Sequence, residues 1–192
     1  QGNSPYQSPG SFAGDAVYID PQLLVESGYL QPPDLDLLPC GGDDRVDYPA
    51  VRRGRQVLFD RLFDRFVRHI PTDFDCFCQS QADWLEDYAL FMAVKDRFEG
   101  KPWIEWAEDI RLRWQPAMDY YRRELYFEVE YHKYLQFKFE EQWRRLKAYA
   151  NSKGIQIIGD IPIYVALDSA DAWANPGLFQ LDQENLPTAV AG

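Results

Sequence analysis

Residues 154–166, Gly-Ile-Gln-Ile-Ile-Gly-Asp-Ile-Pro-Ile-Tyr-Val-Ala, constrain the fold more than any other stretch of the chain. A β-branched apolar run is how a buried strand reads, and Gly-Asp-Ile-Pro interrupts it with a carboxylate at Asp160. The next ten residues, 167–176, hold Asp168, Ser169, Asp171, Trp173 and Asn175. Apolar strand residues that give way to carboxylates, a hydroxyl, an amide and an indole suggest a strand delivering polar groups to a site. The stretch follows a long helical pattern and the short turn Ser152-Lys153-Gly154. Helix, turn and buried strand make half of a βα repeat, so the expected fold class is α/β. In an α/β barrel the strand ends carry the chemistry, which singles out Asp160 and the residues after it.

The rest of the sequence is mostly helical. Asp20 precedes Pro21 and the apolar Leu23, Leu24 and Val25, which suits an N-cap followed by proline at the first helical position. Pro32, Pro33, Pro39 and Pro49 with Gly41 and Gly42 predict a surface connection. Leu58-Phe59, Leu62-Phe63, Phe66-Val67 and Ile70 recur every four residues with Asp and Arg between them, an amphipathic helix that Pro71 ends. A short helix capped by Thr72 or Asp73 follows, then an apolar helix over 82–98 closed by Gly100. The longest helical pattern covers 119–150, through Leu125, Val129, His132, Leu135, Phe139, Trp143, Leu146 and Ala150. His132 on that stripe reads as a satisfied core residue rather than a catalyst. Trp103 and Trp106 read first as core and second as a sugar platform.

The chain has 192 residues, 46% of them hydrophobic, enough for a core. Its formal net charge of -11 would repel a nucleic-acid backbone or an anionic membrane surface, so neither is an expected partner. No apolar run approaches the roughly 20 residues a spanning helix needs. Aromatic residues are 16% of the chain, rings that suit the apolar faces of sugars as well as a core. Cys40, Cys76 and Cys78 lack a disulfide framework and point to a reducing compartment. With His69 and His132 far apart, no metal site is expected. The chain begins with neither Met nor a signal-peptide pattern, and reads as a soluble excerpt.

Four motifs then acquire a common meaning. Ser4-Pro5-Tyr6-Gln7-Ser8 with Phe12-Ala13-Gly14 resembles the substrate loop of the amylomaltases, the 4-alpha-glucanotransferases also called disproportionating enzymes. Residues 84–91, Trp-Leu-Glu-Asp-Tyr-Ala-Leu-Phe, residues 142–151, Gln-Trp-Arg-Arg-Leu-Lys-Ala-Tyr-Ala-Asn, and the stretch from 154 onward are similar to further motifs of that family, in family order. The chain departs from the family pattern at Pro9-Gly10-Ser11, at Asp15 and at Ala107.

The resemblance implies a portion of a (β/α)8 TIM barrel with a largely helical inserted subdomain. Residues 1–30 would hold the substrate loop and following elements, 31–118 the helical insertion, and 119–192 the long helix, the third barrel strand over 155–165 and its loop. It implies retaining transfer of α-1,4-glucan segments between maltooligosaccharides, with glucose as acceptor and no metal or organic cofactor. Such a mechanism uses two carboxyl groups about 5–5.5 Å apart. The resemblance puts those groups beyond residue 192, so the excerpt alone is expected to be inactive. By position in the motifs, Tyr6 and Asp160 correspond to residues that contact the sugar, and Ser4 to a neighbouring polar contact. Asp168 and Trp173 are further substrate-binding candidates, although Asp168 or Ser169 could instead cap a helix beginning near Ala170. The implied location is the cytoplasm, or a plastid. The alternative function is a non-catalytic module that binds a glucan or a protein.

Overall fold

The computed structural model of the chain describes residues 7–38, 46–160 and 164–189. The described residues fall into two compact units, one built from 7–13, 80–133 and the described part of 159–192, the other from 14–79 and 134–158.

In the second unit, helix α1 (Pro21–Glu26) starts as its sequence predicts. The Asp20 carboxylate accepts the Gln22 N–H at 2.8 Å, with Pro21 at the first helical position. Helix α2 (Tyr48–Phe66) is capped by Asp47, which accepts the Ala50 N–H at 2.9 Å. Its four-residue recurrence buries Leu58, Phe59, Leu62 and Phe66. Helix α3 (Thr72–Ser80) adds Phe74 and Phe77. Tyr134 stacks on Phe66 with centroids 4.1 Å apart, and Phe74 meets Phe66 edge-on at 4.9 Å. The connection rich in proline is surface chain only in part. A 3-10 helix over Pro32–Leu37 buries Asp34, whose carboxylate accepts the Gln31 N–H at 2.8 Å and pairs with Arg61 and Arg65, each at 3.0 Å.

The first unit is organised on helix α4 (Ala82–Arg97), which is buried on most of its sides through Leu85, Tyr88, Ala89, Leu90, Phe91 and Val94. Against it pack helices α6 (Gln115–Glu124) and α8 (Ala170–Ala174). Helix α5 (Glu108–Arg111) puts Ile110 into the same cluster. Trp103 and Trp106 are core residues, 0% and 4% exposed, and each indole N–H is satisfied by a carbonyl: Leu167 at 2.6 Å and Lys101 at 3.1 Å.

The single helical pattern expected over 119–150 is interrupted. Leu125 leaves helical geometry (φ -105°, ψ 30°), and helix α7 (Tyr126–Ser152) begins after it. The break lets Ala117 and Met118 on α6 and Val129 on α7 reach one cluster. His132 is buried, its ring 2.9 Å from an Asp96 carboxylate oxygen, as expected of a satisfied core histidine. Farther along the same stripe Trp143 and Leu146 are exposed. Gly154 ends α7 in the left-handed region (φ 76°), and the Ile155 N–H returns to the Ala150 carbonyl at 3.0 Å.

The expected strand is not formed in the described part of 155–165. Residues 155–160 are irregular and exposed, with Ile158 92% exposed, and residues 161–163 lie outside the described residues. A strand's hydrogen bonds belong to its neighbours. Among the described residues there is no other strand to supply them, and one isolated antiparallel bridge joins Leu181 to Pro187. The α/β expectation therefore meets a helical structure here.

Candidate functional site

Two motifs some 160 residues apart in sequence are brought together in the first unit. The loop at 7–13 is fastened to the start of α8: the Ala170 N–H donates to the Pro9 carbonyl at 2.8 Å. Asp171 accepts the Ser11 N–H at 2.8 Å and the Ser11 hydroxyl at 3.2 Å on one oxygen. Within the loop the Ser8 hydroxyl donates to the Gly10 carbonyl at 2.7 Å, and the Ala13 N–H reaches back to the same carbonyl at 3.4 Å. Pro9 and Ser11 belong to the run in which this chain departs from the family pattern, and both make the fastening bonds.

The segment that enters α8 is held from its other side. The Lys95 ammonium lies 2.6 Å from Asp168 and 3.3 Å from the Lys101 carbonyl. The second Asp168 oxygen accepts the Trp103 N–H at 3.3 Å. Ser169 is the N-cap of α8, accepting the Ala172 N–H at 3.2 Å, so the capping role open to Asp168 or Ser169 falls to Ser169. Trp173 is 0% exposed and donates its indole N–H to the Ile110 carbonyl at 3.1 Å. One face of its ring carries the Arg113 guanidinium 4.3 Å from the centroid, and Arg113 pairs with Asp87 at 2.6 Å.

Of the residues singled out in the sequence, Ser4 and Tyr6 lie outside the described residues. Asp160 is exposed, at the end of the irregular segment 155–160. Asp168 and Trp173 lie together in the wall behind the loop, the carboxylate engaged by an ammonium and the indole enclosed by Phe91, Trp106 and Arg113. In this arrangement no face of Trp173 is open to a ring from solvent. Among the described residues no group of three or more His, Cys, Asp or Glu is placed to hold a metal ion.

Sequence reasoning missed Lys95 and Arg113. Lys95 occupies a core position of α4, four residues after Phe91 and one after Val94, and is 7% exposed. A lysine on an apolar face needs a carboxylate partner, and that was the available signal. Arg113 carried none, since its role depends on a left-handed backbone (φ 55°) at the end of α5.

The described residues of the first unit therefore form a helical scaffold that holds one loop and one polar segment together. A similar backbone is found in an amylomaltase from Streptococcus agalactiae solved in complex with acarbose. That structure matches with a TM-score of 0.93 and 38% identity, over 98% of this chain and 39% of the other. A 4-alpha-glucanotransferase of Streptococcus pneumoniae is 43% identical over all of this chain, and one of Thermus thermophilus is 42% identical over the same extent. A chloroplastic/amyloplastic 4-alpha-glucanotransferase of Solanum tuberosum is 32% identical over 98% of it. The chain spans about 38% of the length of the bacterial relatives and 33% of the potato protein. The sequence model of the family described as 4-alpha-glucanotransferase matches residues 1–191, and the chain belongs to that family.

Proposed function

We propose that the protein containing this chain transfers α-1,4-glucan segments between maltooligosaccharides, with glucose as an acceptor, by retaining double displacement. The observation that carries this reading is the family match over residues 1–191. The likeness to an amylomaltase backbone solved in complex with acarbose supports it. Retention requires a carboxylate nucleophile and a carboxylic acid about 5–5.5 Å apart on either side of the scissile bond. We assign neither to a residue of this chain, and so take the chain by itself to be inactive.

The part assigned to these residues is binding. Tyr6 offers a ring face and a hydroxyl, Ser4 a second hydroxyl, and Asp160 a carboxylate that accepts hydrogen bonds from sugar hydroxyls. Asp168 and Trp173 serve from behind, through the Lys95 pair and the core, by keeping the segment after Asp160 in place. In this reading residues 155–165 are a strand of a (β/α)8 barrel. The exposure of Ile155 (58%), Ile157 (40%) and Ile158 (92%) fits a strand whose pairing partners are other strands of that barrel. The protein works in the cytoplasm, or in a plastid if its source is a plant. No helix among the described residues is long and apolar enough to cross a membrane.

The test is to express the full reading frame that contains this chain and incubate the protein with maltotriose. A ladder of longer maltooligosaccharides together with free glucose is the expected product pattern. Binding of maltotriose without any redistribution of chain length would instead identify a non-catalytic glucan-binding module.

A further inference from the structure

Phe12 has a ring that is 70% exposed on a backbone that is tied down. Before it, Ser11 is fastened through its N–H and hydroxyl to Asp171, and Pro9 accepts the Ala170 N–H. After it, Ala13 packs against the buried cluster of the unit. Gly10 lies so close to α4 that a Cβ there would come within 2.9 Å of the Tyr88 ring, so the loop is seated on the helix. The exposure of Phe12 is thus imposed by its anchors. A ring held out by its own anchors and backed by a second aromatic offers a flat apolar face that a ligand can cover.

The ring is also backed. Phe12 stacks on Trp84 of α4, with centroids 6.2 Å apart and planes at 27°. Trp84 is half-buried, leans on Tyr88 at 5.9 Å and donates its indole N–H to the Gln81 side-chain oxygen at 2.8 Å. Polar groups flank the pair, the Gln81 amide at the Trp84 edge and the Asp171 carboxylate at the Ser11 edge. A flat apolar face with an amide and a carboxylate at its rim matches a pyranose ring, whose C–H face is apolar and whose hydroxyls point outward. An aliphatic protein surface would leave that rim unmatched, and the net charge of -11 disfavours an anionic ligand.

We propose that Phe12, backed by Trp84, is a stacking subsite for a glucosyl unit of an α-1,4-glucan. The proposal rests on the glucan-transfer reading above and extends it to a residue outside the contacts assigned there.

The experiment uses protein from the full reading frame, with Phe12→Ala and Phe12→Tyr. A lost ring contact of this kind raises KM for maltoheptaose about three- to tenfold in Phe12→Ala, from the strength of ring–ring stacking. The loss falls on KM more than on kcat, is smaller with maltotriose, and is recovered in Phe12→Tyr, which keeps the face. An unchanged KM in Phe12→Ala overturns the proposal. So does a KM that rises equally in both variants, or a lowered thermal midpoint with KM unaffected, which would make Phe12 a packing residue. If the unsubstituted protein makes no transfer products, the glucan-transfer reading fails, and a fluorescence titration with maltoheptaose still decides the subsite. A quench that disappears in Trp84→Phe supports it, and no quench, or one that survives that substitution, overturns it.

Discussion

The Lys95 ammonium and the Asp168 carboxylate face each other at 2.6 Å with side chains only 8% and 21% exposed, joining α4 to the segment that leads into α8. Removing one partner of such a pair leaves the other charge stranded, at about 3–5 kcal/mol when the survivor is buried. The two partners differ in what remains. Without Asp168, the buried Lys95 ammonium is left with the Lys101 carbonyl at 3.3 Å and the Phe91 ring at 5.7 Å, neither of which carries a countercharge. Without Lys95, Asp168 keeps the Trp103 N–H and more solvent. Asp168→Ala should therefore lower the urea midpoint more than Lys95→Met. The double variant should be more stable than Asp168→Ala alone, because no lysine charge is left buried. A double variant less stable than either single one would contradict this account.

Asp34 is a buried carboxylate held below the usual aspartate value of 3.8, first by the Gln31 N–H and then by hydrogen bonds from Arg61 and Arg65, with burial opposing them. A carboxyl group with a lowered folded-state pKa adds stability above its unfolded value. That stability is lost as pH falls through the unfolded value towards the folded one. The protein should lose stability below about pH 4, on the acid side of the usual aspartate value, and Asp34→Asn should flatten that part of the curve while costing stability at neutral pH. Urea midpoints measured from about pH 6 down to pH 3 check it, because a curve of unchanged steepness in Asp34→Asn excludes Asp34 as the source.

Gly154 and Gly10 should both resist substitution, for different reasons. Gly154 has φ 76° and nothing within 4 Å of an added Cβ, so Gly154→Ala meets only the backbone penalty of the left-handed region, about 1 kcal/mol. Gly154→Asn should recover part of it, since asparagine tolerates that region better. Gly10 needs no special dihedral, but its Cβ would press on Tyr88. Gly10→Ala should therefore be relieved by Tyr88→Leu, which removes the ring, whereas Gly154→Ala has no such partner. Thermal midpoints of the three single variants and the Gly10→Ala, Tyr88→Leu pair separate the two causes.

The helices were legible in the sequence because their signals are local. Asp20-Pro21, the four-residue recurrence from Leu58 to Phe66 and the glycine stops at Gly100 and Gly154 all act within a turn or two, and each appears where it was read. The strand over 155–165 was not realised in residues 155–160, because a β-branched run records only a preference for burial between neighbours. The break at Leu125 was invisible for a related reason: no proline or glycine marks it, and both sides of it serve one core. At the candidate site, sequence suggested Asp168 and Trp173 as groups facing a ligand. Their partners, Lys95, Ile110 and Arg113, lie 60 to 73 residues away in the chain and could not be read from spacing.

Asp160 separates binding from chemistry most directly. It is exposed, and asparagine keeps its shape, so the variant should still fold. If its carboxylate accepts hydrogen bonds from sugar hydroxyls, the amide gives up a charge-assisted interaction of about 1.5–3 kcal/mol, a fall in kcat/KM of about ten- to a hundredfold. The nucleophile is untouched in this reading, so Asp160→Asn protein from the full reading frame should still accumulate a covalent glucosyl-enzyme with a substrate whose intermediate is slow to hydrolyse, seen as a mass increase. Complete loss of that adduct in a folded variant would move Asp160 from positioning the sugar to the bond-breaking step itself. Activity equal to the unsubstituted protein would remove it from the site.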